Sequence, residues 1–220
     1  MKKAILSALC LALSGLVLVG CSSSGEPFEE KSYTPDTQVN AINLDVRDRE
    51  IEVLLSEDGQ IHIQYSENSK EYYDISVSDE NVLTMVGAGN KEWTDYIGGK
   101  PSAENRKILL QIPNALLDTL TLSTTNEDIS LSALTVTENI NLSSNGGDIV
   151  FERLAVGNTL CLTVKNGNIS GTLIGSCDDF VIASRVKKGK SNLPERKDSG
   201  AKMLNVSGNN GDVNIAFVGE

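Results

Sequence analysis

One histidine and four cysteines make up most of the inventory for nucleophilic or metal chemistry in this chain of 220 residues. The histidine, His62, sits between Ile61 and Ile63. On a strand the apolar neighbours turn inward and the histidine turns out, and no partner for it stands out in the sequence. A Ser-His-Asp arrangement would have to use His62, and no Gly-x-Ser-x-Gly phrase accompanies it. Carboxylate-only chemistry needs just two acids at the right separation, and no pair is singled out. The expectation is that the protein is not an enzyme and carries no cofactor.

Other residues invite other chemistry. Asn126, Asp128, Asn145, Asp148, Asn168, Asn210 and Asp212 offer oxygen ligands of the kind calcium takes. They lack the glycine-rich nonapeptide of calcium-binding rolls, so they are read as turn caps that stack in ladders, and no metal site is expected. Cys161 and Cys177 are a candidate disulfide: in an exported protein an intervening loop of this length would gain about 3 kcal/mol by closure. Against it, Cys161 lies between inward Leu160 and Leu162 and should point outward.

Charge is unevenly spread. Seven cations and two acids fall between Arg185 and Lys202, although the whole chain carries −11. An acidic body disfavours nucleic acid. Lys187, Lys188 and Lys190 are the candidate contact for an anionic ligand, on a segment expected to bulge as a loop from the fold.

These residues must be positioned by β structure. Short alternating runs such as Ile61-His62-Ile63 and Leu120-Thr121-Leu122 are separated by Asn-Gly and Gly-Asp, the pattern of half-buried strands and tight corners. A ten-residue phrase repeats: Leu120 to Ile129, Ile140 to Ile149, Leu160 to Ile169, then Leu204 to Val213. The last interval is 44, twice 22, and a degenerate copy from Ile182 to Ser191 is expected to fill it. One unit cannot bury its apolar face alone, whereas stacked units give each backbone group a ladder partner. The prediction is all-β, a single β-solenoid of about 20-residue repeats. Leu120, Ile140, Leu160, Leu122, Leu142, Leu162 and Val206 form the inward columns, and Ile129, Ile149, Ile169 and Val213 follow each corner. Corner glycines are expected to supply positive φ. A hairpin sandwich is the rival fold, since Asn-Gly also makes hairpins. The first half reads as irregular coils of the same kind, with Gly87 to Lys107 as a loop.

At the start, Lys2 and Lys3 precede an apolar run to Val19, and Leu18-Val19-Gly20-Cys21 closes it. The run falls short of the roughly 20 residues of a membrane span. It resembles a bacterial lipoprotein signal, which implies removal of residues 1–20 and acylation of Cys21 by diacylglycerol and palmitate-like chains. Residues 21–35 then read as the lipidated cysteine and a disordered tether, and residues 36–220 as the folded domain. The phrases Ser144-Asn145-Gly146-Gly147-Asp148-Ile149, Asn209-Asn210-Gly211-Asp212-Val213 and Leu110-Gln111-Ile112-Pro113 resemble the "putative adhesin" β-strand-repeat domains of bacterial envelope proteins, over roughly residues 40 to 218. That resemblance implies the fold and an extracytoplasmic, adhesin-like binding or scaffold role at the cell surface or periplasmic face, with an envelope protein or glycan as partner and the membrane reached through Cys21. An envelope-stress or assembly component acting through protein partners is the alternative, and a polysaccharide-active enzyme a third.

Overall fold

The computed structural model describes residues 26–91 and 100–219. The assignments of residues 1–20 as leader and Cys21 as acyl acceptor lie outside the described residues. Among the described residues the chain forms β1 (Glu29–Tyr33), β2 (Ala41–Asp45), β3 (Glu50–Leu55), β4 (His62–Glu67), β5 (Glu71–Val77), β6 (Val82–Gly89), β7 (Lys107–Ile112), β8 (Thr119–Thr124) and β9 (Ile129–Leu131). The second half holds β10 (Leu134–Val136), β11 (Asn139–Ser144), β12 (Ile149–Val156), β13 (Thr159–Asn166), β14 (Ile169–Ile174), β15 (Phe180–Lys188), β16 (Arg196–Lys197), β17 (Lys202–Asn210) and β18 (Val213–Val218). Two 3-10 turns, at Glu104–Arg106 and Cys177–Asp179, are the helical elements among these residues.

The strands form two sheets whose inward residues share one core. Sheet A runs β1-β4-β7-β3-β9-β12-β14-β18, with β10 beside β12, and sheet B runs β16-β15-β17-β13-β11-β8-β2-β6-β5. The twenty-residue period is visible as pairing register: Leu120, Ile140 and Leu160 are neighbours in parallel strands of sheet B, and Ile129, Ile149 and Ile169 in sheet A. Parallel pairing cannot come from a two-residue hairpin, so the sandwich of hairpins is not what these central strands form. Every inward column expected from the repeat is buried, from Leu120 and Ile140 to Val206 and Val213. Outward residues of the same strands are at most half-buried, which is the alternation that makes each strand amphipathic.

The order of the coils departs from the expectation. Leu204 pairs directly with Leu160, and the degenerate copy from Ile182 lies outside it, pairing with β17. The chain skips a position, lays down the irregular coil at the end of the stack, and returns to fill the gap with the regular one. The first half reaches a like arrangement in the opposite order, inner coil first. β2 and β3 sit against β8 and β9, while β6 and β7, later in the chain, lie outside them. An inner coil needs apolar neighbours on both sides, which the regular sequences of β17 and β2 supply. An outermost coil needs them on one side only, so irregular sequence is tolerated there. The ends are finished by antiparallel strands rather than by further coils: β4 and β1 on sheet A, β5 and β16 on sheet B.

Two further expectations are corrected. The tether assigned to residues 21–35 includes a strand, since β1 pairs along its length with β4 and Tyr33 packs against the core. Its Glu29, Glu30 and Lys31 are exposed; an edge strand buries little and so lacks the apolar alternation that marks a strand in sequence. The loop expected over Gly87 to Lys107 begins later, because β6 continues to Gly89 against β5.

The corners explain the glycine column differently from the positive-φ argument. Only Gly189 (φ 144°) and Gly211 (φ 138°) among the corner glycines adopt it. Gly147 and Gly167 are needed because a Cβ there would strike the carbonyl of the corner beneath, at Glu127 and Gly147 respectively. Stacked corners approach each other too closely for a side chain.

Candidate functional site

Four of the seven corner Asn and Asp residues, Asp128, Asp148, Asn168 and Asp212, form one ladder across the stack. The Asp148 amide donates to Asp128 Oδ1 (2.7 Å), the Asn168 amide to Asp148 Oδ1 (2.7 Å), the Asp212 amide to Asn168 Oδ1 (2.9 Å) and the Lys190 amide to Asp212 Oδ1 (2.8 Å). Each side chain satisfies the backbone of the next coil. Among the described residues there is no group of three or more His, Cys, Asp or Glu side chains placed to hold a metal ion.

Cys161 and Cys177 are not bonded to each other. Cys161 lies on the outward face of sheet B between Asn141 and Asn205, and its Sγ accepts from Asn205 Nδ2 at 3.6 Å. Cys177 sits in the turn between β14 and β15, partly packed on the core. The coil separates them, one on a sheet face and one at a corner.

His62 does have partners. Its Nε2 meets both carboxylate oxygens of Asp58 (2.9 and 3.0 Å), and its Nδ1 meets Thr34 Oγ1 at 2.8 Å. Asp58 also accepts from the Gln60 amide (3.0 Å) and Ser56 Oγ (2.8 Å). The Gln60 amide, with Ser56 and His62 behind it, holds the Asp58 carboxyl down at about 2. The group ties the exit of β1 to the turn before β4. His62 is half-buried and Asp58 exposed, the arrangement of a surface clip.

At the same end of the stack a cleft of about 670 Å³ is lined by Arg47, Arg49, Glu71, Tyr73, Lys91 and Lys100, among others. Its floor is an ionic network. Arg49 is 5% exposed and donates through Nε to Tyr73 Oη (2.6 Å) and through a terminal nitrogen to Glu71 (2.8 Å), which also pairs with Lys91 at 2.7 Å. Burial alone would raise the Glu71 carboxyl, but Lys91 and Arg49 outweigh it and hold it below its ordinary range. Burial pushes the Tyr73 phenol up. Asp48 is likewise held low, its partial burial outweighed by Asn126 and Lys100. Sequence reasoning missed this network, because its members come from three separated segments and each reads as an exposed charge. The one available signal is Arg49 between Asp48 and Glu50, just ahead of inward Ile51.

The opposite end carries the cations. Lys187 and Lys188 belong to β15, and Lys190 follows the Gly189 corner; all three are exposed. Lys187 and Lys188 therefore stand on an ordinary strand, and the loop expected here begins only at Gly189, running to Ala201 with β16 and the Ser191 bridge within it. The strand's lysines read as loop because an outermost strand presents a free edge on which charges are well solvated. Lys165 joins them. Val164 and Val186 both pair with Gly208, and Asn166 and Lys188 both pair with Asn210, so Lys165 and Lys187 flank Asn209 of β17. A shallow groove of about 340 Å³ on the same face is lined by Cys161, Thr163, Arg185, Glu195, Asn205 and Ser207.

A family model, Toastrack DUF4097, matches residues 39–217. The chain belongs to the Toastrack DUF4097 family. The matched residues open at Val39, two residues before β2, and close at Phe217 in β18, so the whole parallel stack is the Toastrack domain. No curated protein matches the chain. Among solved structures, the Toastrack fold seen here is similar to "a putative cell adhesion protein from Clostridium sporogenes ATCC 15579", at TM-score 0.57 and 11% identity, with 87% of this chain and 100% of that one covered. "A putative adhesin from Bacteroides fragilis NCTC 9343" aligns over 88% of this chain and 98% of its own at 14% identity, with TM-score 0.41. At such identities the first likeness speaks to the fold.

Proposed function

We propose that this Toastrack protein is a binding or scaffold module of the bacterial cell envelope, adhesin-like, its stack a β-solenoid held outside the cytoplasm by acyl chains on Cys21. The observation that supports the reading best is the outward face of sheet B. Across neighbouring strands the side chains stand in rows: Asn43, Thr121, Asn141, Cys161, Asn205 and Ala183 in one, Asp45, Ser123, Ser143, Thr163, Ser207 and Arg185 in the next. In a chain of net charge −11 these two rows hold one acid and one base. Short hydroxyl and amide groups on a rigid ladder lose little conformational freedom on contact and can donate or accept toward a glycan or a protein backbone. A face built this way requires no buried reactive group, which accords with a binding module rather than an enzyme.

Because β1 and the bonds of Glu26 to Asn68 and Ser69 hold the chain on the domain from Glu26 on, at most residues 22–25 are left for the tether, about 13 Å at full extension. Two or three acyl chains at about 0.8 kcal/mol per buried methylene hold the module on the membrane without a protein span. Among the described residues no helix is long and apolar enough to cross one.

Two measurements test the reading. Palmitate labelling in cells should be abolished by Cys21→Ala, with the protein released from the membrane fraction; a variant that stays membrane-bound overturns the anchor. The mature chain applied to an array of envelope glycans and polymers, and to crosslinking in intact cells, should find a partner whose capture is lost in Asn141→Glu/Thr163→Glu. Undiminished capture by that variant removes the sheet B face from the contact.

A further inference from the structure

We propose that the groove over β17 is a rail for a linear polyanion, a phosphodiester-linked polymer being the chemical class. Asn205 and Ser207 of β17 line the groove with Arg185, and along the same strand, one outward position on, the register sets Lys165 of β13 and Lys187 of β15 on either side of Asn209. Strands two apart stand about 9.6 Å apart, and alternate residues along a strand about 6.6 Å, so the three cations form a triangle that spans the groove rather than a single point. None of the three has an ion-pair partner among the described residues. Two acids stand nearby: Glu195 lines the groove with Arg185, so the three cations exceed it by two charges, and Asp212 accepts from the Lys190 amide.

The geometry favours a polymer over a compact anion. There is no enclosed pocket, no convergent set of backbone amides and no bidentate Arg pair, which a single carboxylate or phosphate group would need. Instead, lysine-dominated point charges line an open channel, the arrangement that holds successive charges of a chain while the polar floor accepts its backbone. The position argues against the anchoring bilayer as the source of the anions. β1, nearest the tether, is the outermost strand of sheet A at one end, whereas β18 ends the other, seven strand spacings or about 34 Å away. The rail lies at that far end. This placement rests on the anchored reading above; the binding chemistry does not.

The test uses the mature chain from Ser22, without acyl chains, and three probes: inorganic polyphosphate, a synthetic poly(glycerol phosphate), and vesicles of phosphatidylglycerol in phosphatidylcholine. Both polymers should bind, and with three phosphates engaged the affinity should fall roughly 20-fold between 50 and 200 mM salt, by counterion release as for a single-stranded polyanion. The variant Lys165→Gln/Arg185→Gln/Lys187→Gln should lose binding at least tenfold with unchanged thermal unfolding. Bound polymer should also slow alkylation of Cys161, at the groove, while leaving Cys177 in the same molecule unaffected. Equal polymer binding by the variant, or protection of both cysteines alike, overturns the rail. Binding to vesicles but not to polymers would also overturn it and assign the cations to lipid headgroups. Failure here, with Cys21 labelling intact, leaves the anchored module standing; loss of Cys21 labelling with the rail intact removes only its orientation.

Discussion

The two ends of the stack face the same difficulty and answer it differently. A parallel sheet cut across leaves a row of unpaired backbone groups, an invitation to aggregate. At the end formed by the first half of the chain, three antiparallel strands are committed to closure: β5 over sheet B, β4 and β1 over sheet A. Charge there is internal and neutralised, with Arg49, Glu71, Lys91 and Tyr73 satisfying one another. At the other end closure is slight. The two-residue β16 lies on β15, and β18 is covered by residues 190–192, where Asn192 bonds both the amide (3.0 Å) and the carbonyl (2.8 Å) of Ile215 in place of a strand. Charge at that end is external and only partly paired: Arg196 meets Asp198 and Lys197 meets Asp178, while Lys165, Arg185, Lys187, Lys188 and Lys190 have no ion pair among the described residues. Cations that stabilised the fold would be paired, as Arg49 is; those that are exposed without acids are available to something outside.

If that contrast is right, Arg49→Ala should be the most damaging of the substitutions considered. It leaves Glu71 with Lys91 alone and removes the donor to Tyr73 Oη, and should cost about 3 kcal/mol, read by urea denaturation, with hydrogen exchange rising first in β5 and β6. A protein as stable as the parent would show that the network is ornamental and erase the difference between the ends. Gly147→Ala strikes the centre instead. Its methyl group meets the Glu127 carbonyl, and a loss of about 1–3 kcal/mol is expected; exchange should rise in the coils on both sides together. Asn192→Ala removes two hydrogen bonds from the thinly closed edge, about 1–2 kcal/mol, with faster exchange at Ile215 and a concentration-dependent dimer by light scattering.

Acid should distinguish the ends further. Asp58 titrates lower in the folded chain than in the unfolded one, near 2 against an ordinary 3.8. The stability it contributes is therefore complete above about pH 4 and lost as pH falls toward 2. Glu71, also held low, acts in the same direction at the same end. Exchange of β1 and β5 should thus accelerate between pH 4 and 2 ahead of β15. The smallest effect on stability, under about 0.5 kcal/mol, is expected for Lys187→Gln/Lys188→Gln/Lys190→Gln, because exposed unpaired cations contribute little to the fold. A large loss there would mean that these lysines hold the edge, not a ligand.

Much of this was legible along the chain. Leu120, Ile140 and Leu160 recur at twenty, and twenty is the register in which their strands pair. Asp148 and Asn168 were read as ladder residues and form one. Less could be said where neighbours in space are distant in sequence. Arg49, Glu71 and Lys91 look like solvated charges until β5 folds over β2's corner, and Thr34, Asp58 and His62 share no spacing that suggests a cluster.

The sequence by itself determined the all-β class, the coil length, the inward columns and the family, because period-two alternation and a repeated corner phrase are local properties that any stacking must respect. Only the tertiary structure decided the order of the coils. Leu204 matches Leu160 as well as it matches Ile182, and periodicity assigns no position to a unit that fits in more than one place. What settled it is burial: the regular coils occupy the sites covered on both sides, the irregular ones the sites covered on one.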